Sequence, residues 1–521
     1  MSYKDGSVVN EKIEVAGEKQ AWKAESQKSS DLESIGSDDS YDPTLEWTKE
    51  EEQKIVTKMD IRLMSFVLLM TFVLNMDRTN ISNAVSDNLA ANLGFNNDGV
   101  NTGVLLHSVL FTVVTLPNNA VVKRIGAHLW IPILMTSWAI VTWAHIFITD
   151  FSTFLAVRAF IAITEAGFIP SCLAYLTGFY TSRELLTRLA WFWGIQSFAS
   201  AFSGLISFGV FRLAGIGGLY GWKWLFLIDG IFTQIVGVIA FLYLPVGPSN
   251  TSTVLWGKKG WFSERERKIA VTRLIRDDQT KTQQTQRVQW SDVKLALVDT
   301  KVWTHMIIAF LGVMPLSPIG TYLPTMIRSY GFDVTIANLL TAPSYIIGLV
   351  ISIAIARLSE RIGYMGLFAA AQVLWGSVGY LALIFVPENT GRWGMYAVVL
   401  FTASTPFFHG MHIAWMSANL SPIGKRTLSL GAIIGFANIC GVPGSQIYQT
   451  NDAPRYRRGN WVLFGISTAC AALLIFQHFR YKYTNAHRER VWNAMTEDEQ
   501  KNYLATTKQQ GSNRLDYRFD I

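Results

Sequence analysis

The sequence predicts an all-α polytopic membrane protein, with twelve transmembrane helices in two six-helix halves. Three observations predict it. Twelve apolar stretches run in series between about residue 62 and residue 480, separated by charged, turn-rich breaks. Each is close to the roughly 20 residues a helix needs to cross a bilayer core. Half of the 521 residues are apolar and only 16% are charged, so the apolar part is too large for one soluble core and is arranged as spans. Lys and Arg collect in alternate breaks, the bias of membrane proteins towards basic loops on one side. One such stretch fits a signal peptide or an anchor, whereas twelve in series fit a bundle.

Taken in order, residues 1–60 read as a polar, mostly acidic, disordered tail with no pattern of a cleavable signal peptide. The first half, 61–244, holds spans near 62–82, 103–122, 128–148, 152–175, 187–211 and 221–244. A basic central loop, 245–301, follows; its run from Trp261 to Arg267 opens an amphipathic, helix-like stretch. The second half, 302–480, holds spans near 302–326, 336–357, 364–386, 394–417, 428–449 and 460–480, and a charged tail occupies 481–521. Val122-Lys123-Arg124-Ile125-Gly126 and Ser359-Glu360-Arg361-Ile362-Gly363 follow the second span of each half. A basic turn plus Gly at equivalent places suggests a duplicated six-helix unit.

Lys123, Arg124, Arg183, Arg188, the central loop, Arg357, Arg361, Lys425 and Arg426 fall on one side, and 83–102 on the other side lacks Lys and Arg. Both termini are therefore expected in the cytoplasm. The last outer loop departs from the bias, with Arg455, Arg457 and Arg458. The net charge of +7 lies in the loops, so no nucleic-acid partner is expected. Cys172, Cys440 and Cys470 all fall within spans and read as apolar fillers, with no disulfide framework, zinc site or cofactor implied. No nucleophile–base pair or metal triad shares one depth, which argues against an enzyme.

An ionisable side chain inside hydrocarbon costs about 2.5–3.5 kcal/mol, so it needs a partner or a watery cavity. The first half concentrates such groups. Span 1 ends Asn75-Met76-Asp77-Arg78-Thr79-Asn80, and span 4 carries Arg158 and Glu165. Seven residues are close to two helical turns, so Arg158 and Glu165 share a face. Two guanidiniums can grip an anionic group through planar forks. A carboxyl caught between burial and a nearby guanidinium can take up and release a proton. Glu165 is the candidate titrating group, with Asp77 and Arg158 as a gate-like bridge. The competing reading is a pair of interhelical salt bridges that hold the bundle together.

Asn75, Gln196 in span 5 and Asn438 in span 11 are candidate cavity residues; helix-packing hydrogen bonds are the alternative. His107, His409 and His412 are candidates for titration or substrate contact. His409 and His412 lie three apart, on one face, beside Trp415. No third ligand accompanies them, so no metal site is expected. Tyr322 and Pro324 in span 7 mark a candidate bend near the outer gate. Gly204, Gly209 and Gly237 read as close helix contacts.

Several of these stretches resemble a known family. Asn75-Met76-Asp77-Arg78-Thr79-Asn80-Ile81 resembles the first-span signature of the anion:cation symporter branch of the major facilitator superfamily. Arg158, with Thr164-Glu165-Ala166-Gly167-Phe168-Ile169-Pro170, resembles its fourth span. Gly221-Trp222-Lys223-Trp224-Leu225-Phe226-Leu227-Ile228-Asp229-Gly230 is similar to the sixth span of fungal allantoate permease-like transporters. So are Tyr322-Leu323-Pro324-Thr325, Asn338-Leu339-Leu340-Thr341-Ala342-Pro343, Gly441-Val442-Pro443-Gly444-Ser445-Gln446-Ile447-Tyr448 and the run from Trp261 to Arg267. The likeness covers about residues 60–480.

The resemblance implies proton-driven uptake of a small organic anion (a vitamin, ureide or sulfur-containing nutrient) by a monomer in the plasma membrane. It also implies proton coupling at Asp77 and Glu165, anion contact at Arg78, a carboxylate partner in Arg158 and substrate contact at Gln196. One departure is visible. The loop Lys123-Arg124-Ile125-Gly126-Ala127-His128 lacks the acidic residue of the superfamily's common loop motif. A sensor that keeps the fold without transporting, and an anion uniporter or exchanger, remain the alternatives.

Overall fold

The structure is a computed structural model that describes residues 41–277, 290–421, 423–507, 509 and 511–521. Among the described residues there is no β-strand, only two isolated bridges. Nine helices among the described residues are long and apolar enough to cross a membrane. The first half contributes α2 (Ser65–Ser86), α3 (Asn97–Ile125), α4 (Ala127–Trp143), α5 (Phe151–Glu165), α6 (Phe168–Thr177), α7 (Ser182–Val210) and α8 (Gly221–Tyr243). They are preceded by α1 (Lys49–Met59) and followed by α9 (Glu264–Asp277). The second half contributes α10 (Thr300–Val313), α11 (Leu316–Ser329), α12 (Ala342–Ile362), α13 (Met365–Phe385), α14 (Arg392–Ala403), α15 (His409–Asn419), α16 (Ile423–Ile439) and α17 (Arg457–Asn493), before α18 (Glu497–Thr506).

Polar residues set where these helices start and stop. Asn96 caps α3 by accepting from the Asp98 and Gly99 amides, and Asp150 forms a capping box with Thr153 at the start of α5. Gly126 and Gly363 end α3 and α12 with φ of 88° and 81°, a conformation that costs any residue with a Cβ. The two Arg-Ile-Gly turns thus both end on a glycine of positive φ.

The predicted spans are not all single apolar helices. The second lies in α3, which carries Pro117 and Asn118. The tenth breaks between α14 and α15, around Pro406. The eleventh comprises α16 and the short helix Gly441–Gly444. The fourth breaks as well, where α5 gives way to α6 at Ala166 and Gly167. A Cβ on Gly167 would lie 2.6 Å from the Asn118 side chain, so this close approach of α3 requires Gly. Gly204 and Gly237 are close contacts as expected, but Gly209 faces open space.

Two expectations about the charged segments are corrected. Residues 1–40 lie outside the described residues, but 49–59 form α1, capped by Thr48 and Glu51 in a capping box. This helix belongs to a small unit with parts of the central loop. Within it Arg265 bonds Glu51 at 2.8 Å, Lys58 bonds Glu266 at 2.6 Å and Arg273 bonds Glu184 at 2.7 Å. The Arg265 guanidinium, together with the Thr48 amide, holds the Glu51 carboxyl down at about 2. The C-terminal segment is likewise not a loose tail. α17 continues to Asn493, and the chain returns after α18. The Ile521 carbonyl accepts from the Met365 amide, and the Phe519 ring stacks on Tyr481 at 4.4 Å.

The bundle is a unit of its own, and within it the two halves are joined by polar contacts gathered at one end, where α2 finishes and α3 begins. The Tyr322 hydroxyl donates to Asn101 Oδ1 at 2.5 Å and to the Asn97 carbonyl at 3.0 Å. Asn101 Nδ2 donates to the Tyr448 carbonyl at 2.7 Å. Arg328 donates to Asn88 Oδ1 at 2.9 Å and to the Ser86 carbonyl, and Asn338 Nδ2 donates to Ser86 Oγ at 2.8 Å. Val85, Leu89 and Leu93 share one buried apolar cluster with Tyr322, Met326, Phe332 and Tyr448. A Cβ on Gly204 would lie 2.6 Å from the Asn338 carbonyl, which keeps α7 against the second half.

Candidate functional site

Between the two halves lies a cavity of about 400 Å³. Its acidic, basic and histidine side chains come from the first half: Asp77 and Arg78 from α2, His107 from α3, Arg158 and Glu165 from α5. The second half adds only uncharged groups, among them Ser317 and Thr321 from α11, Tyr345, Thr405 and Asn438 from α16. Trp193, Gln196 and Ser200 line it from α7. The charges chosen for their membrane cost therefore do meet at one void.

Their pairing differs from expectation. Arg78 Nε donates to Glu165 Oε2 at 2.9 Å, and Glu165 is 1% exposed. His107 Nε2 stands 3.8 Å from the same oxygen. The Arg78 guanidinium also lies 5.0 Å from the Phe111 ring centre, an attraction available only to a cation. Its Nη2 is buried without a hydrogen-bond partner.

The expected bridge between Asp77 and Arg158 is not formed. Asp77 Oδ2 instead accepts from Thr142 Oγ1 at 2.7 Å, and its Oδ1 is left without a donor. Arg158 is buried with its Nε unpartnered. The physical reason is helix rotation. Asp77 leans towards α4, while its neighbour Arg78, about 100° further round α2, faces α5. One guanidinium is thereby neutralised by a carboxylate and the other keeps donor capacity in the cavity wall.

Asn75, Gln196 and Asn438 also line the cavity. Asn75 Nδ2 donates to the Thr71 carbonyl and Asn438 Nδ2 to the Ile434 carbonyl, so each amide is tied to its own helix and offers its oxygen. Tyr322 is part of the inter-half seal, as its hydrogen bonds with Asn97 and Asn101 require. The assignment of His409, His412 and Trp415 to the substrate is corrected, since none lines the cavity. α15 turns them into the second half, where His412 Nε2 meets His305 Nδ1 at 2.9 Å and His305 Nε2 meets the Tyr481 hydroxyl at 3.0 Å. Trp415 Nε1 donates to the Asp520 carbonyl. His409 packs by Phe407 and Phe408.

Residues not singled out for the site include Trp193, Ser200, Thr142 and Asn80. Asn80 lies one turn from Asp77 and could have been found by that spacing; Trp193 and Thr142 carry no signal in the sequence that sets them apart.

Residues 67–473 match the family described as the Major Facilitator Superfamily. The chain belongs to the major facilitator superfamily. An uncharacterised transporter of Saccharomyces cerevisiae is 31% identical over 482 residues, covering 92% of this chain and 89% of the relative. The major facilitator-type transporter hxnP of Emericella nidulans is 29% identical over 417 residues, covering 78% and 81%. Among solved structures, this facilitator shares its fold with the nucleoside transporter NupG (TM-score 0.60, 12% identity, covering 80% of this chain and 100% of that one). It also shares it with a D-xylose-proton symporter (TM-score 0.59, 13% identity, covering 79% and 96%). The facilitator is a multi-pass membrane transporter, not an enzyme, and its substrate is a small molecule.

Proposed function

We infer that this facilitator is a proton-coupled symporter for a small organic anion, of the allantoate permease-like branch, working by alternating access as a monomer in the plasma membrane. One observation carries the reading. Two guanidiniums and two carboxyls from a single half face one cavity, and one guanidinium is occupied by a carboxylate at 2.9 Å. With Asp77 and Glu165 both ionised, Arg78 and Arg158 are balanced. Adding one proton leaves the wall one charge positive, and an anion restores neutrality at a low-dielectric site where the imbalance is costly.

Glu165 is the residue whose protonation matters most to the anion. While ionised it competes for Arg78; once neutral it releases the Arg78 fork to a carboxylate, sulfonate or similar group. Arg158 supplies the second charge. Gln196, Asn75 and Asn438 offer polar contacts to the rest of the substrate, with α11 and α16 forming the uncharged far wall. Proton and anion thus load together or not at all.

The halves 61–244 and 302–480 then rock about this site. The Tyr322–Asn101 and Arg328–Asn88 contacts form the outer gate, and both termini lie in the cytoplasm. On this assignment the described conformation has its outer gate shut.

The test is uptake of labelled allantoate, ureidosuccinate, nicotinate, pantothenate and biotin by the purified protein in liposomes under an imposed pH gradient. At least one anion is expected to accumulate, and a protonophore should collapse that accumulation. Counterflow that ignores the gradient would replace the symporter with an exchanger or uniporter. A flat response to every anion would turn the reading towards a sensor.

A further inference from the structure

Behind Asp77, away from the cavity, stands a second carboxyl that the proposed cycle does not use. Asp229 on α8 is 3% exposed and does not line the cavity. Its Oδ2 accepts from Asn80 Nδ2 at 2.7 Å. The Asn80 amide has a fixed orientation, because Ser203 Oγ donates to its Oδ1 at 3.1 Å and is itself held by Asn83 Nδ2 at 2.8 Å. Asn80 lies three residues after Asp77 on the same face of α2, so Asp229 is held one helical turn from Asp77. Asn80 thus joins the turn of α2 that carries Asp77 to the turn of α8 that carries Asp229.

Both carboxyls have the same defect. Asp77 Oδ2 is served by Thr142, but Oδ1 has no donor; Asp229 Oδ2 is served by Asn80, but Oδ1 has no donor. A buried acceptor without a donor keeps its desolvation penalty uncompensated, and the penalty is larger when the group is charged. No Lys, Arg or His forms an ion pair with Asp229 among the described residues. Two carboxylates in one dry site do not both ionise, and a single proton held between their spare oxygens serves both.

We propose that Asp229 is the second member of a proton-sharing carboxyl pair with Asp77, so that one proton is held between α2 and α8, at the back of the cavity wall, and sets how readily Asp77 takes up the coupling proton. This rests on the proton-coupled reading of the same site. At rest one proton lies between the two spare oxygens. Loading brings a second proton through Asp77, the member that faces the cavity, to Glu165, and release returns it by the same way; Asp229 keeps the shared one throughout. The other titratable groups facing the pair are Arg78 on the same helix, His107 on α3, Arg158 and Glu165 on α5, and His145, which stacks on Phe226 one turn before Asp229. From α7, Ser200 and Ser203 bond to α2.

The test starts without a substrate. Infrared difference spectra of the full chain in lipid nanodiscs, taken across a pH titration, report the carbonyl stretch of protonated carboxyls and its shift in heavy water. The native protein is expected to keep a protonated-carboxyl band at neutral pH. Asp77→Asn and Asp229→Asn should each remove it, and Asp229→Glu should restore it. Asn at 229 still accepts from Asn80, and Thr142→Val, which leaves both carboxyls in place, is expected to move the band without abolishing it. A band unchanged in Asp229→Asn overturns the pair.

In the liposome assay, Asp229→Asn places a permanent amide donor beside Asp77 and favours its ionised form. The pH of half-maximal uptake should then fall by about one unit with counterflow kept within about twofold; an unmoved profile also overturns the proposal. If the native protein accumulates no anion, the symporter reading fails while the spectra still decide the pair. If it accumulates one and the band ignores Asp229, the pair fails alone.

Discussion

At the scale of single residues, the proposed cycle turns on competition for Arg78. Glu165 is almost wholly buried and spends its charge on one guanidinium, so its removal should separate coupling from binding. In Glu165→Gln the neutral amide mimics the proton-loaded state permanently. Gradient-driven accumulation is expected to fall at least tenfold, while counterflow of the same anion stays within a few-fold of the native rate; unchanged accumulation would remove Glu165 from the cycle. The sequence pointed to this residue because charge in hydrocarbon is expensive, whichever way the side chain turns. It paired the wrong partners because pairing depends on the rotation of α2 about its own axis, and adjacent residues Asp77 and Arg78 leave that rotation open. The same blindness placed His412 at the substrate. Its partner His305 sits 107 positions away, and nothing local distinguishes a histidine that meets another histidine from one that meets a ligand.

At the scale of elements, the apolar stretches were legible because each one has to match the bilayer, and their breaks were not. The tenth span reads as continuous at 394–417, yet the chain parts at 404–408, where the Ser404 and Thr405 hydroxyls turn back onto the carbonyls of α14. α1 was missed for the opposite reason. Its charges resemble those of a tail, and their partners on α9 lie more than 200 positions on.

The end of α2 carries a pH-sensitive contact of its own. Asp87 Oδ2 accepts from the Trp222 amide at the start of α8, at 2.8 Å, a favourable place for a negative charge. Burial nevertheless pushes its carboxyl up to about 6, against the opposing pull of that amide and of Arg328. The folded value exceeds the ordinary 3.8. The stability linked to Asp87 is therefore fully present below that ordinary value and lost as pH rises through about 6. Acidification across this window should favour the sealed end, read as slower labelling of a Cys placed at Asn88. In Asp87→Asn that dependence should vanish, and a profile shared by the native and variant proteins would remove Asp87 as its cause.

At the scale of the whole molecule, charge and sealing are divided between the halves. The first half owns the acidic, basic and histidine side chains of the cavity wall, and the second supplies neutral surface and much of the seal through Tyr322, Arg328, Asn338 and Tyr448. Such a division suits a carrier in which one half senses proton and anion and the other closes over them. It also makes the seal a required step: polar contacts that gather at one end must break for the cavity to reach the opposite solvent. Cys at Asn88 and at Arg328, joined by a short bismaleimide, would fix the two halves where the native hydrogen bond spans 2.9 Å.

Transport by the linked protein should drop to background, while anion binding from the unsealed side remains. The same double variant treated with a monofunctional maleimide controls for loss of the Arg328 bonds, and a cleavable linker should restore uptake when cut. Transport that survives the intact link would mean that this end never opens, and rocking of the halves about the Asp77–Glu165 cavity would have to be abandoned.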